Sequence, residues 1–308
     1  METPKRVELG WPRAAALFLM AWLASPVVGG TMLIGVVYLI MMVGLPVRRA
    51  SAYLAAAILA WGVFQGERAG MWWTERGWAV LVGGWFVALT LRRPESGFLS
   101  RALASVAGAV AVAAGLVVAT GGAWSVLDWQ MTQRVRGYFA AGMEAVRVLQ
   151  ERGTLSPAVV VALYAAAETQ VKVFPATLAL ATLAALAVAW WLYVRMAHGD
   201  DQALLPLREF RFNDQLVWLF IGGLALTLVG GDGLKRAGSN AVVFMGALYA
   251  LRGAAVVSFF AGGQSPLTAF LLLLGLVFVA PVMMVGALVI GIGDTWLDLR
   301  ARARAMTA

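Results

Sequence analysis

A guanidinium inside an apolar run is where this chain has the most chemistry at stake. Arg252 lies in the run 239–262, which ends at the break Gly262-Gly263-Gln264-Ser265, followed by Pro266. Read as a helix, the run sets Arg252 roughly 18 Å from that break, near the middle of a bilayer. A charge there costs from about +2.5 to above +10 kcal/mol against lipid, and snorkelling relieves only part of it. Arg252 therefore needs water, carbonyl oxygens, a carboxylate or a ligand. Asn240, Gln65 and Glu168 are the polar residues that could line a pocket with it. Such a pocket would take an anionic or carbonyl-bearing solute. The structural alternative is an arginine that locks the bundle by bonding carbonyls of broken helices, or one glutamate. A straight hairpin sets Arg252 opposite Gly275 or Leu276 and leaves Asp294 about 27 Å further along the axis, too far to be its partner.

Other constellations carry less. Gly291-Ile292-Gly293-Asp294 matches the GxGD pattern of intramembrane aspartyl proteases, but that chemistry needs two aspartates sharing a proton. Asp294 instead closes the last apolar run beside Trp296, so the expectation is a helix end with Asp294, Asp298 and Arg300 at the headgroups. Ser239-Asn240 after Gly238 reads as an N-cap for the Arg252 helix. His198 is the only histidine. With Asp200 and Asp201 it could hold a divalent ion weakly, yet no HExxH or second ligand cluster supports a metal site. The chain has no cysteine and no P-loop. Neither a cofactor nor enzymatic activity is expected.

The elements that must position these residues are membrane spans. The 308 residues are 61% hydrophobic and 13% charged, against about 45–50% and about 25% in soluble domains. Lipid must be the solvent for much of the surface. The formal charge of +8 gathers at the ends of apolar runs, where it anchors against anionic leaflets and calls for no nucleic acid. Residues 14–45 are apolar, broken at Ser25-Pro26 and Gly29-Gly30, and further spans read at 50–66, 77–91 and 101–122.

Residues 123–156 change period. Met131, Val135, Tyr138/Phe139, Gly142/Met143, Val146 and Leu149 take one side, with Arg134, Glu144, Arg147, Glu151 and Arg152 on the other. This is an amphipathic helix in the membrane interface or capping the bundle. After it, 157–172 is apolar with Glu168 and Lys172 four apart. Spans at 175–194, 215–231, 239–262 and 266–293 follow. In the Arg252 run, Gly246, Ala250 and Ala254 form a small-residue stripe suited to close helix packing. Counting from either terminus gives span numbers that differ by one. The reading adopted is an all-α polytopic bundle of about eight transmembrane helices plus the connector, both termini cytoplasmic. It divides into an N-terminal half (1–122), a connector (123–172) and a C-terminal half (173–308) of one integrated membrane domain.

The last third resembles the YybS-like family of bacterial multi-pass inner-membrane proteins. The resemblance rests on Phe210-Arg211-Phe212, Leu216-Val217-Trp218, Asn240, the stretch Leu248-Tyr249-Ala250-Leu251-Arg252-Gly253-Ala254-Ala255-Val256, and Gly291 to Arg300. Such proteins usually carry Gln-Gly where this chain has Arg252-Gly253, so the charge departs from the pattern. The family is similar to the S components of energy-coupling-factor transporters and to membrane proteins of cell-shape assemblies. The resemblance implies a small-solute-binding transporter component that borrows a separate ATPase module. The alternative is a non-catalytic scaffold in the lipid bilayer that recruits membrane partners through 123–156 or the basic C-terminus.

Overall fold

The computed structural model describes residues 72–119, 124–151, 156–198, 204, 206–261 and 280–307. The expected spans at 14–45 and 50–66, Gln65, Asp200, Asp201 and the break after Gly262 lie outside them. The described residues form helices and no strand. The chain divides into two compact units, Met1–Leu204 and Leu205–Ala308, whereas the sequence placed its boundaries at either end of the connector.

In the first unit, α1 (Trp72–Arg92) and α2 (Phe98–Ala119) form a hairpin. Pro94 ends α1, because the residue before a proline is steered out of helical backbone. Ser96 closes the turn, its hydroxyl donating to the Arg93 carbonyl at 2.8 Å. The connector is α3 (Trp124–Glu151), followed by α4 (Pro157–Lys172) and α5 (Phe174–His198). Pro157 starts α4 where a missing N–H is harmless, and Pro175 does the same in the first turn of α5.

The apolar stripe of α3 is used locally. Val135 is buried against Phe174, with Met131, Val171 and Leu178 packed around them. Val126, Trp129 and Val148 on the same helix stay exposed. The enclosed element of this unit is α5. Every residue from 181 to 189 is buried, so the helix has protein on all sides, as one that is apolar all round must. Trp78 of α1 ties to it, donating Nε1–H to the Thr182 hydroxyl at 3.0 Å.

The second unit is built on α7 (Asp232–Phe260). α6 (Val217–Val229) packs along its first half after the turn at Gly230-Gly231, and α8 (Ala280–Leu297) packs against it from the far side of the chain. Both contacts run through glycine. A Cβ on Gly223 would lie 2.8 Å from that of Ala241, and one on Gly238 2.6 Å from the Gly223 carbonyl oxygen. On the α8 side, a Cβ on Gly253 would fall on the Ala287 carbonyl and one on Gly291 on the Tyr249 carbonyl. The seam therefore lies along Tyr249 and Gly253, not along the expected stripe of Gly246, Ala250 and Ala254; at Gly246 an added Cβ would meet open space. Leu228, Val229, Val282, Val285 and Val289 remain exposed, an apolar coat that suits lipid.

A final helix, α9 (Leu299–Thr307), leaves α8 with a 65° bend. Asp298 at the bend has φ +42°, a left-handed conformation that aspartate tolerates better than most side chains. Among the described residues, three helices are long and apolar enough to cross a membrane: α2, most of α5, and α7 from Gly233. The bent pair α8–α9 makes a fourth if taken as one span. The second unit begins with two short 3-10 turns, Leu207–Glu209 and Asp214–Leu216.

Candidate functional site: a buried arginine–aspartate network

Arg252 is fully enclosed in the second unit, 0% exposed. Its Nε donates to Asp294 Oδ2 at 2.9 Å, its Nη2 to the Asp294 carbonyl at 3.2 Å, and its Nη1 to Asp214 Oδ1 at 2.5 Å. The Phe212 ring lies 5.5 Å from Cζ, close enough for a cation–π contact. Asp294 is shared. Its Oδ2 also accepts from Arg300 Nη2 at 2.8 Å, while Arg300 Nη1 donates to the carbonyls of Arg208 and Phe210 at 3.1 and 3.0 Å. At the rim, Arg211 pairs with Asp298 at 3.4 Å and Asp214 at 3.8 Å. Three arginines thus face three aspartates, and the network stitches the segment before α6 to the middle of α7 and the end of α8.

The expectation that Asp294 is too distant to meet Arg252 is corrected, and the reason is register. The distance argument assumed that the last two apolar runs turn at Gly262 and run straight back. Instead Tyr249 stands against Gly291 and Gly253 against Ala287, which carries α8 well past that alignment. The Cβ direction of a helical residue points toward its own N-terminus. The Arg252 side chain is therefore directed down α7, and that of Asp294 up α8, so they close the remaining gap. Asp294 and Arg300 are buried at 0 and 4% exposure and are not free surface groups at a helix end. Asp298 marks the bend and is the half-exposed member.

Among the described residues of this unit, the sequence candidate Asn240 is not brought to Arg252. Asn240 shares its helix but stands twelve residues earlier, roughly 18 Å along the axis. The helix begins at Asp232, so Ser239 and Asn240 are interior rather than capping residues. Ser239 Oγ and Asn240 Nδ2 donate to the carbonyls of Lys235 and Arg236, each at 2.8 Å. Glu168 belongs to the first unit, where it accepts from Arg136 Nη2 at 3.2 Å rather than simply serving Lys172. Both partners are more than half exposed. Such pairs are worth little, so Arg136→Ala is expected to shift stability by less than about 1 kcal/mol in a chemical or thermal melt.

Asp214, Arg211, Phe212 and Tyr249 are members of the network that the expectation of polar residues at matching depth does not include. Asp214 sits directly before the apolar run of α6, at the level where that run meets the middle of α7. Within this network three buried atoms have no hydrogen-bond partner among the described residues, Asp294 Oδ1, Asp298 Oδ1 and Tyr249 Oη. The two carboxylates that touch Arg252 are separated by its guanidinium, so each has its own ion pair and they do not share a proton. Among the described residues no group of His, Cys, Asp and Glu is placed to hold a metal ion.

No curated protein and no solved structure matches the chain. A family model does, over nearly all of it. The long apolar helices among the described residues agree with that family's description: matched over residues 13–295, the chain belongs to the family "Predicted membrane protein (DUF2232)".

Proposed function

We propose that the protein is a non-catalytic assembly protein of the bacterial inner membrane, with both termini in the cytoplasm, whose C-terminal unit is a rigid core and whose helix α3 is the platform for membrane partners. The observation behind this reading is the enclosure of Arg252: two carboxylates and a carbonyl take three of its five N–H donors, and none of it is exposed. An arginine so placed fixes the packing around α7 and presents no exposed group to a solute. The exposed Val126, Trp129 and Val148 of α3 are the apolar surface on which a partner would dock. Replacing these three by serine should leave membrane insertion intact and shrink the native complexes seen on a blue native gel. Unchanged complexes would count against the platform.

A second reading, a solute-binding transporter component working with a separate ATPase, draws on the buried atoms without a hydrogen-bond partner, Asp294 Oδ1, Asp298 Oδ1 and Tyr249 Oη. The resemblance to S components supports it too. Native mass spectrometry separates the two readings. A small molecule that co-purifies with the chain and is lost in Asp294→Asn would favour the carrier and overturn the platform.

A further inference from the structure

The first unit holds a further buried arginine, and no acid among the described residues pairs with it. Arg101, in the first turn of α2, is 7% exposed. Its Cζ lies 4.6 Å from the centre of the Trp190 ring and 5.7 Å from that of Phe86. Phe98 and Trp190 both meet Phe86 edge-on at 5.8 Å, so the guanidinium sits in an aromatic box made by α1, α2 and α5. Among the described residues no hydrogen bond or ion pair reaches that guanidinium, and its Nε is buried without a partner. A guanidinium has five N–H donors, and aromatic faces satisfy its charge but not those donors.

The surroundings favour an anion. Arg101 belongs to the N-terminal turn of α2, where the helix dipole is positive. Arg92 and Arg93 stand exposed at the adjoining turn. The carboxylate of that turn, Glu95, is exposed and makes no pair with Arg101. Leu91, 58% exposed at the same end of α1, gives an apolar chain somewhere to lie. We infer that Arg101, boxed by Trp190 and Phe86, is a binding site for a phosphate-bearing anion. The two sources of that chemistry are an anionic phospholipid headgroup and free phosphate. The inference is independent of the platform role.

The test uses the full-length protein. In nanodiscs of phosphatidylcholine doped with phosphatidylglycerol, native mass spectrometry should show the wild type retaining phosphatidylglycerol in preference. Arg101→Gln should lose that retention roughly tenfold, the loss of one charge-assisted contact. If inorganic phosphate in lipid-free detergent raises the melting temperature of the wild type and not of Arg101→Gln, the free anion is the source.

Arg101→Leu separates binding from packing. It removes an unpaired buried charge, so in lipid-free detergent it should melt at or above the wild type while showing no stabilisation by phosphatidylglycerol. Should Arg101→Gln fail to fold, Arg101→Lys keeps the charge without the fork and should keep only part of the retention. The site is overturned if the wild type shows no preference for phosphatidylglycerol and no response to phosphate. It is equally overturned if Arg101→Leu is destabilised alike with and without both probes, which would make Arg101 a cation–π clamp.

Discussion

Asp294→Ala should destabilise the C-terminal unit by about 3–5 kcal/mol, the usual cost of removing one partner from a buried ion pair. The figure is large because the loss is double. Arg252 and Arg300 both donate to Asp294 Oδ2, at 2.9 and 2.8 Å, and neither can turn toward water when that oxygen disappears. Arg252 would keep Asp214 as its one carboxylate, with the backbone carbonyl of residue 294. Arg300 would keep two backbone carbonyls, which offset part of its desolvation but not its charge. Denaturant titration in detergent, followed by protease sensitivity after Leu204, measures the effect. A variant that unfolds at the wild-type midpoint would show that the network does not hold the unit together. Asp214→Ala is the milder companion. Its side chain is 46% exposed, so water screens the vacancy and the loss should be a fraction of that at Asp294.

Gly253→Val should be as damaging, for a different reason. Overpacking a core normally costs about 1–3 kcal/mol, because flexible side chains move aside. Here the neighbour is the Ala287 backbone carbonyl, inside a helix that cannot yield without moving as a whole. The helices must separate, and separation pulls Asp294 away from Arg252 in the same step. Gly291→Val attacks the seam from the other side, against the Tyr249 carbonyl. Gly246→Ala and Gly286→Ala are the controls, since an added Cβ meets open space at both. They should stay within about 0.5 kcal/mol of the wild type, as surface changes usually do. If Gly253→Val melts with these controls, the close approach of α7 and α8 is not what packs the unit.

Most of the described helices were legible because their punctuation is local. Pro94, Ser156-Pro157, Pro175 and Gly230-Gly231 each stop or start an element through the backbone itself. The change of period across 123–156 is a property of consecutive residues, and α3 follows it. Some misses were shifts along a helix. Ser239-Asn240 looks like a cap, but hydroxyls and amides can bond to the carbonyl four residues back and so sit inside α7.

The site was half legible. That Arg252 needs a partner follows from the cost of a buried charge and holds. Which partner depends on how far α8 slides along α7, and that is set by where glycine lets two backbones touch. A straight hairpin sets Asp294 too far from Arg252, and only the observed register of α8 brings the two together. Asp214 gives no such signal, because it stands just before an apolar run rather than inside one.

The order in which the network's members leave the ribosome follows from their spacing. Asp214 precedes Arg252 by 38 residues and Asp294 follows it by 42. At about 5–20 residues per second, the arginine waits roughly 2–8 s for its second carboxylate. During that interval Asp214 is the one carboxylate of the two able to meet the charge of Arg252. The early aspartate thus shelters the arginine until its buried partner has been made.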